Sequence, residues 1–146
     1  MYVAAARTCK QLTPYLLAGI GKVESDHGRS SAPGVRSGVN RHGCCAGPMQ
    51  FSIIPAAPTW QGVARPGDSV YDPADAIPAA ARKLCHDGLA PTPWNLLYQG
   101  RRDRCPTVGG SSASNRALRR YNNACAYAEQ VLATTAGYAP TGRRVT

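Results

Sequence analysis

Two cap–proline pairs, Thr13-Pro14 and Asp72-Pro73, set the terms on which this chain folds. A Thr or Asp cap accepts from the orphan N–H groups of a helix start, and proline at the first position loses nothing by lacking one. Beyond Thr13, Leu16, Leu17, Ile20 and Val23 recur at helical spacing, which predicts a helix stopping at Gly28 after His27. Beyond Asp72, Asp75 suits the first turn, the alanines through Ala81 and then Leu84 suit close helix packing, and Gly88 is the expected stop. Pro78, in the second turn, predicts an irregular start or a restart. Two further helical pieces are expected at about 115–121 and 124–136, the latter ending at Gly137, with a short helical turn around Trp94 to Tyr98. Alternation of apolar residues never persists beyond a few positions, so the expected fold class is all-α.

A chain of 146 residues fits one domain, 1–146, that buries roughly 68–70% of its unfolded surface. The ordered core is expected at about 12–138, with a frayed tail at 139–146. No apolar run approaches the ~20 residues of a membrane span, and Met1 to Leu12 lacks the apolar centre of a signal peptide. The net charge of +9 raises two partners, nucleic acid and anionic wall polymers. The arginine clusters at 101, 102 and 104, at 116, 119 and 120, and at 143 and 144 have no interleaved aromatics to stack on bases, which argues against nucleic acid.

Six cysteines, at 9, 44, 45, 85, 105 and 125, permit three disulfides in any of 15 pairings. At least one is expected to form outside a cell. Cys44 and Cys45 are not expected to bridge one another, because a vicinal bond strains the peptide between them. With no C-x-x-C pair and no metal spacing among His27, His42 and His86, no metal is expected.

Glu24 is the residue on which chemistry centres. It lies seven positions after Leu17, on the apolar side of its helix, and in the last turn, beside a Gly-rich loop at 28–47. Burial and the negative end of the helix dipole both push a carboxyl there towards the ~6–7 that suits a general acid. No second carboxylate pairs with it: Asp26 points about 200° away, Asp72 and Asp75 belong to a helix cap, and Asp68, Asp87 and Asp103 have no marked partner. That pattern disfavours an ordinary two-carboxylate glycosidase but suits a substrate that supplies its own nucleophile. A Gly-x-Ser-x-Gly elbow is missing, Gly19-Ile20-Gly21 follows no strand, and a Cys44–His86 nucleophile pair is the remaining alternative.

Four segments, in order, carry a resemblance. Ile20-Gly-Lys-Val-Glu-Ser-Asp-His-Gly-Arg-Ser30, Ala46-Gly-Pro-Met-Gln-Phe51, Tyr71-Asp-Pro-Ala-Asp-Ala-Ile77 through Leu84, and Arg120-Tyr-Asn122 together resemble the soluble lytic transglycosylases of glycoside hydrolase family 23, related to goose-type lysozyme. The variant is similar to wall-lysing proteins of actinobacteria and their phages, and covers about residues 12–138.

The resemblance implies a lysozyme-like fold and cleavage of peptidoglycan between N-acetylmuramic acid and N-acetylglucosamine, with a 1,6-anhydro product. It implies no cofactor, a monomer, and action at the bacterial cell wall after secretion or phage delivery. Glu24 would be catalytic; Ser25 would position the site; Met49, Gln50 and Phe51 would line the glycan groove. Tyr121 would donate to Glu24 or to the substrate acetamido group, and Asn122 would brace its turn. Against the family pattern, Cys44-Cys45 stands where small residues are usual, Pro48 replaces Leu, Arg120 replaces Ala, and the insertion at 29–43 leaves Ser30, Ser31 and Ser37 as candidates for a further serine. A water-delivering lysozyme and a non-catalytic wall-binding module, the latter favoured by the charge, are the alternatives.

Overall fold

The computed structural model describes residues 1–91, 105 and 112–140. The expected turn at Trp94 to Tyr98, Asp103, the arginines at 101, 102, 104, 143 and 144, and most of the tail lie outside them. A short α1 (Tyr2–Ala5) and a 3₁₀ turn (Ala6–Thr8) come first. Thr13 then accepts from the Leu16 N–H at 3.2 Å and α2 runs Pro14–Ser25. Asp72 accepts from the Ala74 N–H at 2.8 Å and opens α3 (Pro73–Leu84). Two helices close the described chain, α4 (Ser112–Tyr121) and α5 (Cys125–Tyr138).

Leu16, Leu17 and Ile20 of α2, Leu84 of α3, Leu118 of α4 and Val131 of α5 meet in one buried cluster. Each such side chain removed from water contributes about 1.5–3 kcal/mol. The most extensive helix pairing is α2 against α5. Glycine at position 19 permits it, since a Cβ there would stand 2.4 Å from the Thr135 hydroxyl and 3.0 Å from the Val131 carbonyl. Ala5 and Ala6 are buried in the same cluster, so the core begins earlier than residue 12.

Several local expectations need correction. α2 ends at Ser25, three residues before Gly28, because Ser25 turns its hydroxyl to loop groups and Asp26, His27 and Gly28 all take positive φ (53°, 60° and 81°). Pro78 does not interrupt α3, where it costs one backbone hydrogen bond in a helix whose inner face is fully packed. Gly88 is not a stop: α3 continues into a π turn (Cys85–Leu89), and Gly88 is there because α4 passes close by. The last two helices start or end beyond the expected bounds, and Gly137 lies inside α5 rather than after it.

The class is mainly α rather than all-α. An antiparallel pair, β1 (Cys45–Ala46) and β2 (Phe51–Ser52), sets Cys45 opposite Ser52 and Ala46 opposite Phe51. With two residues per strand, no alternation exists for a sequence pattern to reveal. Gly47 makes the tight connection possible: its φ is +78°, and a Cβ would meet the Val70 carbonyl oxygen at 1.8 Å.

The cysteines pair as Cys9–Cys85, Cys44–Cys45 and Cys105–Cys125. Cys44 therefore does bridge its neighbour, against expectation; the two stand 3.7 Å apart at Cα, where the loop enters β1. The Cys9–Cys85 bond spans 76 residues and ties the N-terminal turn to the end of α3, a constraint worth roughly 4 kcal/mol on the unfolded chain. Arg116 and Arg120 do not form a solvated basic face. Arg116 is buried and donates to the Gly88 carbonyl at 3.0 Å, and Arg120 donates to that of Asp87 at 2.6 Å, so both satisfy the end of the π turn. Among the described residues no helix is long and apolar enough to cross a membrane.

The Gly88 contact makes a sign test. In an open helix Gly→Ala stabilises by about 1 kcal/mol. At Gly88 the added Cβ would stand 2.6 Å from the Ala117 nitrogen and 2.9 Å from its Cα, backbone that cannot step aside alone. Gly88→Ala is expected to lower stability by about 1–3 kcal/mol, read as a drop in thermal midpoint of several degrees. An unchanged or higher midpoint would show that α4 does not approach the π turn this closely.

Candidate active site

The arrest of α2 builds the site. Ser25, 3% exposed, donates its hydroxyl to the Pro48 carbonyl at 2.6 Å and accepts from the Gly28 N–H at 2.7 Å. Such side-chain bonds compete with the helical ladder and end it. They also pin the β1–β2 connection to the helix end, so Glu24, one residue earlier, faces the hairpin across a cleft. Asp26, held by Lys22 at 2.5 Å and Arg29 at 2.8 Å, lies on the outer side as expected. The Arg29 and Lys22 contacts keep its carboxyl ionised far below the usual range.

Two adjoining cavities flank Glu24. One, about 270 Å³, is lined by Cys44, Cys45, Phe51, Ser52, Thr59, Lys83, Tyr121 and Asn122; the other, about 410 Å³, by Ala32, Pro33, Val35 and Arg41. Glu24, Asn40, His42 and Gln50 line both, and so mark the point where the two meet. Among the described residues Glu24 is the only carboxylate on either lining. Four of the others are engaged elsewhere: Asp68 with Arg82, Asp87 with Lys83, Asp72 at its cap, and Asp75 with the Ser69 N–H.

Glu24 is half-buried, and burial pushes its carboxyl up from 4.5 to about 7. The opposing influence is the Tyr127 hydroxyl, which donates to Oε1 at 2.7 Å. Burial and the nearby Glu24 charge hold Tyr127 itself far above the usual phenol range, so it stays a donor. With Oε1 occupied by that bond, the acidic proton falls to Oε2.

The resemblance implied that Tyr121 would donate to Glu24 or to the substrate acetamido group; the bond to Glu24 is made by Tyr127 instead. Tyr121 donates to the Met49 carbonyl at 2.8 Å, and its ring lies parallel to that of Tyr127 at 6.5 Å. It braces the hairpin rather than the carboxyl. Met49 is fully buried, so its side chain packs the core and does not line the groove. Phe51 is 2% exposed and lines the smaller cavity, its ring set against Trp60 at 5.3 Å and Tyr121 at 6.0 Å. Gln50 and Asn122 do line the cleft. Asn122 caps the end of α4 through its backbone, its N–H donating to Leu118 and its carbonyl accepting from Ala124, both at 2.9 Å.

Tyr127 and Asn40 escaped sequence reasoning. The available signal for Tyr127 was general: a Tyr on the buried face of a helix needs a partner for its hydroxyl. The Cys44–His86 alternative fails, since Cys44 is tied to Cys45 and His86 bonds Asp87 at 2.9 Å. No cluster of metal-ligating side chains occurs among the described residues. No family model, characterised protein or solved structure matches the chain.

Burying Glu24 links stability to pH. The folded chain holds this proton to about pH 7, while the unfolded chain loses it near 4.5. The contribution is therefore complete below the unfolded value and is lost as pH rises through about 7. Glu24→Gln keeps the acceptor for Tyr127 and has no proton to lose. Urea unfolding is expected to show it more stable than wild type above neutrality, by on the order of 3 kcal/mol, and little different at acid pH. A difference that does not change with pH would mean that Glu24 ionises as an exposed carboxyl does.

Proposed function

We propose that this chain is a peptidoglycan lytic transglycosylase with a lysozyme-like fold, using Glu24 as its one catalytic carboxyl. The observation that carries the reading is a carboxyl held near pH 7, bonded to Tyr127, and the one carboxylate among the described residues on a cleft lined by both polar and apolar side chains. The ordered motifs that resemble family 23 supply the substrate class.

In this mechanism the Glu24 Oε2–H gives its proton to the glycosidic oxygen between N-acetylmuramic acid and N-acetylglucosamine as the C1–O bond breaks. The acetamido carbonyl of the muramoyl residue stabilises the electron-poor C1. The Glu24 carboxylate, its remaining oxygen still bonded by Tyr127, then takes the proton from the sugar's 6-hydroxyl as O6 closes on C1. Glu24 ends protonated, the product is a 1,6-anhydro sugar, and no water is consumed. One carboxyl suffices because the acetamido group does the work of the second. Ser25 acts as a positioning residue by fixing the hairpin against the helix end, and Gln50 and Asn122 bind glycan.

Glu24→Gln preserves size and the Tyr127 bond but removes the transferable proton. Its wall-clearing activity is expected to fall at least 10²–10⁴-fold, with binding to wall fragments kept. Mass spectrometry of the wild-type digest is expected to show muropeptides one water lighter than reducing ones. Reducing muropeptides would instead identify a hydrolytic lysozyme using the same carboxyl. Binding without release of fragments would favour the non-catalytic module, and full activity in Glu24→Gln would remove Glu24 from the mechanism.

A further inference from the structure

Asn40 sits where the two cavities meet, and its hydrogen bonds run in one direction. Its Oδ1 accepts from the backbone N–H of His42 at 3.1 Å and of Cys44 at 3.4 Å. Backbone N–H groups only donate, so the atom facing them must be the oxygen. The Nδ2 of Asn40 then faces Gln50 Oε1 at 3.1 Å. At the far end Gln50 Nε2 donates to the Gly47 carbonyl at 2.8 Å, and a carbonyl only accepts. Both ends of the chain of amides are thus fixed by backbone groups, and the two ends agree. Neither amide can flip without setting like against like.

Backbone geometry supports the same arrangement. Gln50 has a positive φ of 49°, a conformation that a long side chain adopts only when its surroundings hold it. The Asn40 N–H donates to the Cys45 carbonyl at 2.8 Å, which ties the whole turn to β1.

We infer that Asn40 is a positioning residue that fixes the Gln50 amide so that its second Nε2 hydrogen serves an acceptor oxygen of the bound ligand. The cleft at this point therefore selects carbonyl or hydroxyl oxygens over N–H groups. The inference rests on the proposed function for the identity of the ligand, a wall glycan, but its geometric part stands without it.

Asn40→Asp separates the two duties of the side chain. Aspartate still accepts from His42 and Cys44, so the turn and the thermal midpoint are expected to be kept, but it cannot donate to Gln50. On soluble wall fragments KM is expected to rise about tenfold with a smaller change in kcat, the effect of one misdirected hydrogen bond. In a Gln50→Ala background the same change is expected to add nothing. Losses that add, or a wild-type KM in Asn40→Asp, would overturn the inference. A second readout needs no activity: the side-chain amide signals of Gln50, identified by their loss in Gln50→Ala, are expected to shift in Asn40→Asp. Unmoved signals would overturn the positioning role. If wild-type protein cuts no wall, the proposed function falls, and the amide signals still decide for or against Asn40.

Discussion

The contact on which the site depends is the hydroxyl of Tyr127 against the carboxyl of Glu24, made where α2 and α5 pack together. Burial alone would make Glu24 a neutral group that gives up its proton too reluctantly to act as an acid. The tyrosine bond restrains that rise and leaves the group near pH 7, where both protonation states are accessible. Because the bond crosses a helix pair, whatever fixes that pair also fixes the chemistry. Glycine at position 19 brings the helices to contact distance, and Thr135 and Val131 form the surface it meets.

A second constraint places the cleft. Ser25 ends α2 and seizes the Pro48 carbonyl, Gly47 turns the chain beneath Val70, and Tyr121 holds the Met49 carbonyl. Three consecutive residues of the hairpin connection are thereby fastened to three different parts of the core. Gln50 follows at once, presented to the cleft by the connection those contacts hold. Residues that resembled groove-lining positions turn out to divide the labour: Met49 secures the scaffold, Gln50 meets the cavity, and Phe51 does both.

Much of this was legible in the chain because it is local. Thr13-Pro14 and Asp72-Pro73 each specify a helix start by bonds that reach only two or three residues, and both starts formed as read. The inward position of Glu24 follows from its spacing to Leu17, which is a property of one helix. What the sequence concealed involves long range. Tyr127 lies 103 residues from Glu24, Gly88 meets Ala117, and the cysteine pairing joins residues as far as 76 apart. Nothing in a window of sequence encodes such distances. The stop of α2 was misread for a related reason: Gly28 looked like the terminator, but the partner that ends the helix, Pro48, is 23 residues away from Ser25.

The central claim is that the fold holds Glu24 as an acid poised near neutrality. Carbon-detected NMR titration of the Glu24 carboxyl, assigned by comparison with Glu24→Gln, measures this directly. The account predicts a midpoint of about 7, rising further in Tyr127→Phe, where the restraining bond is gone. A midpoint near the ordinary 4.5, unmoved by Tyr127→Phe, would contradict it.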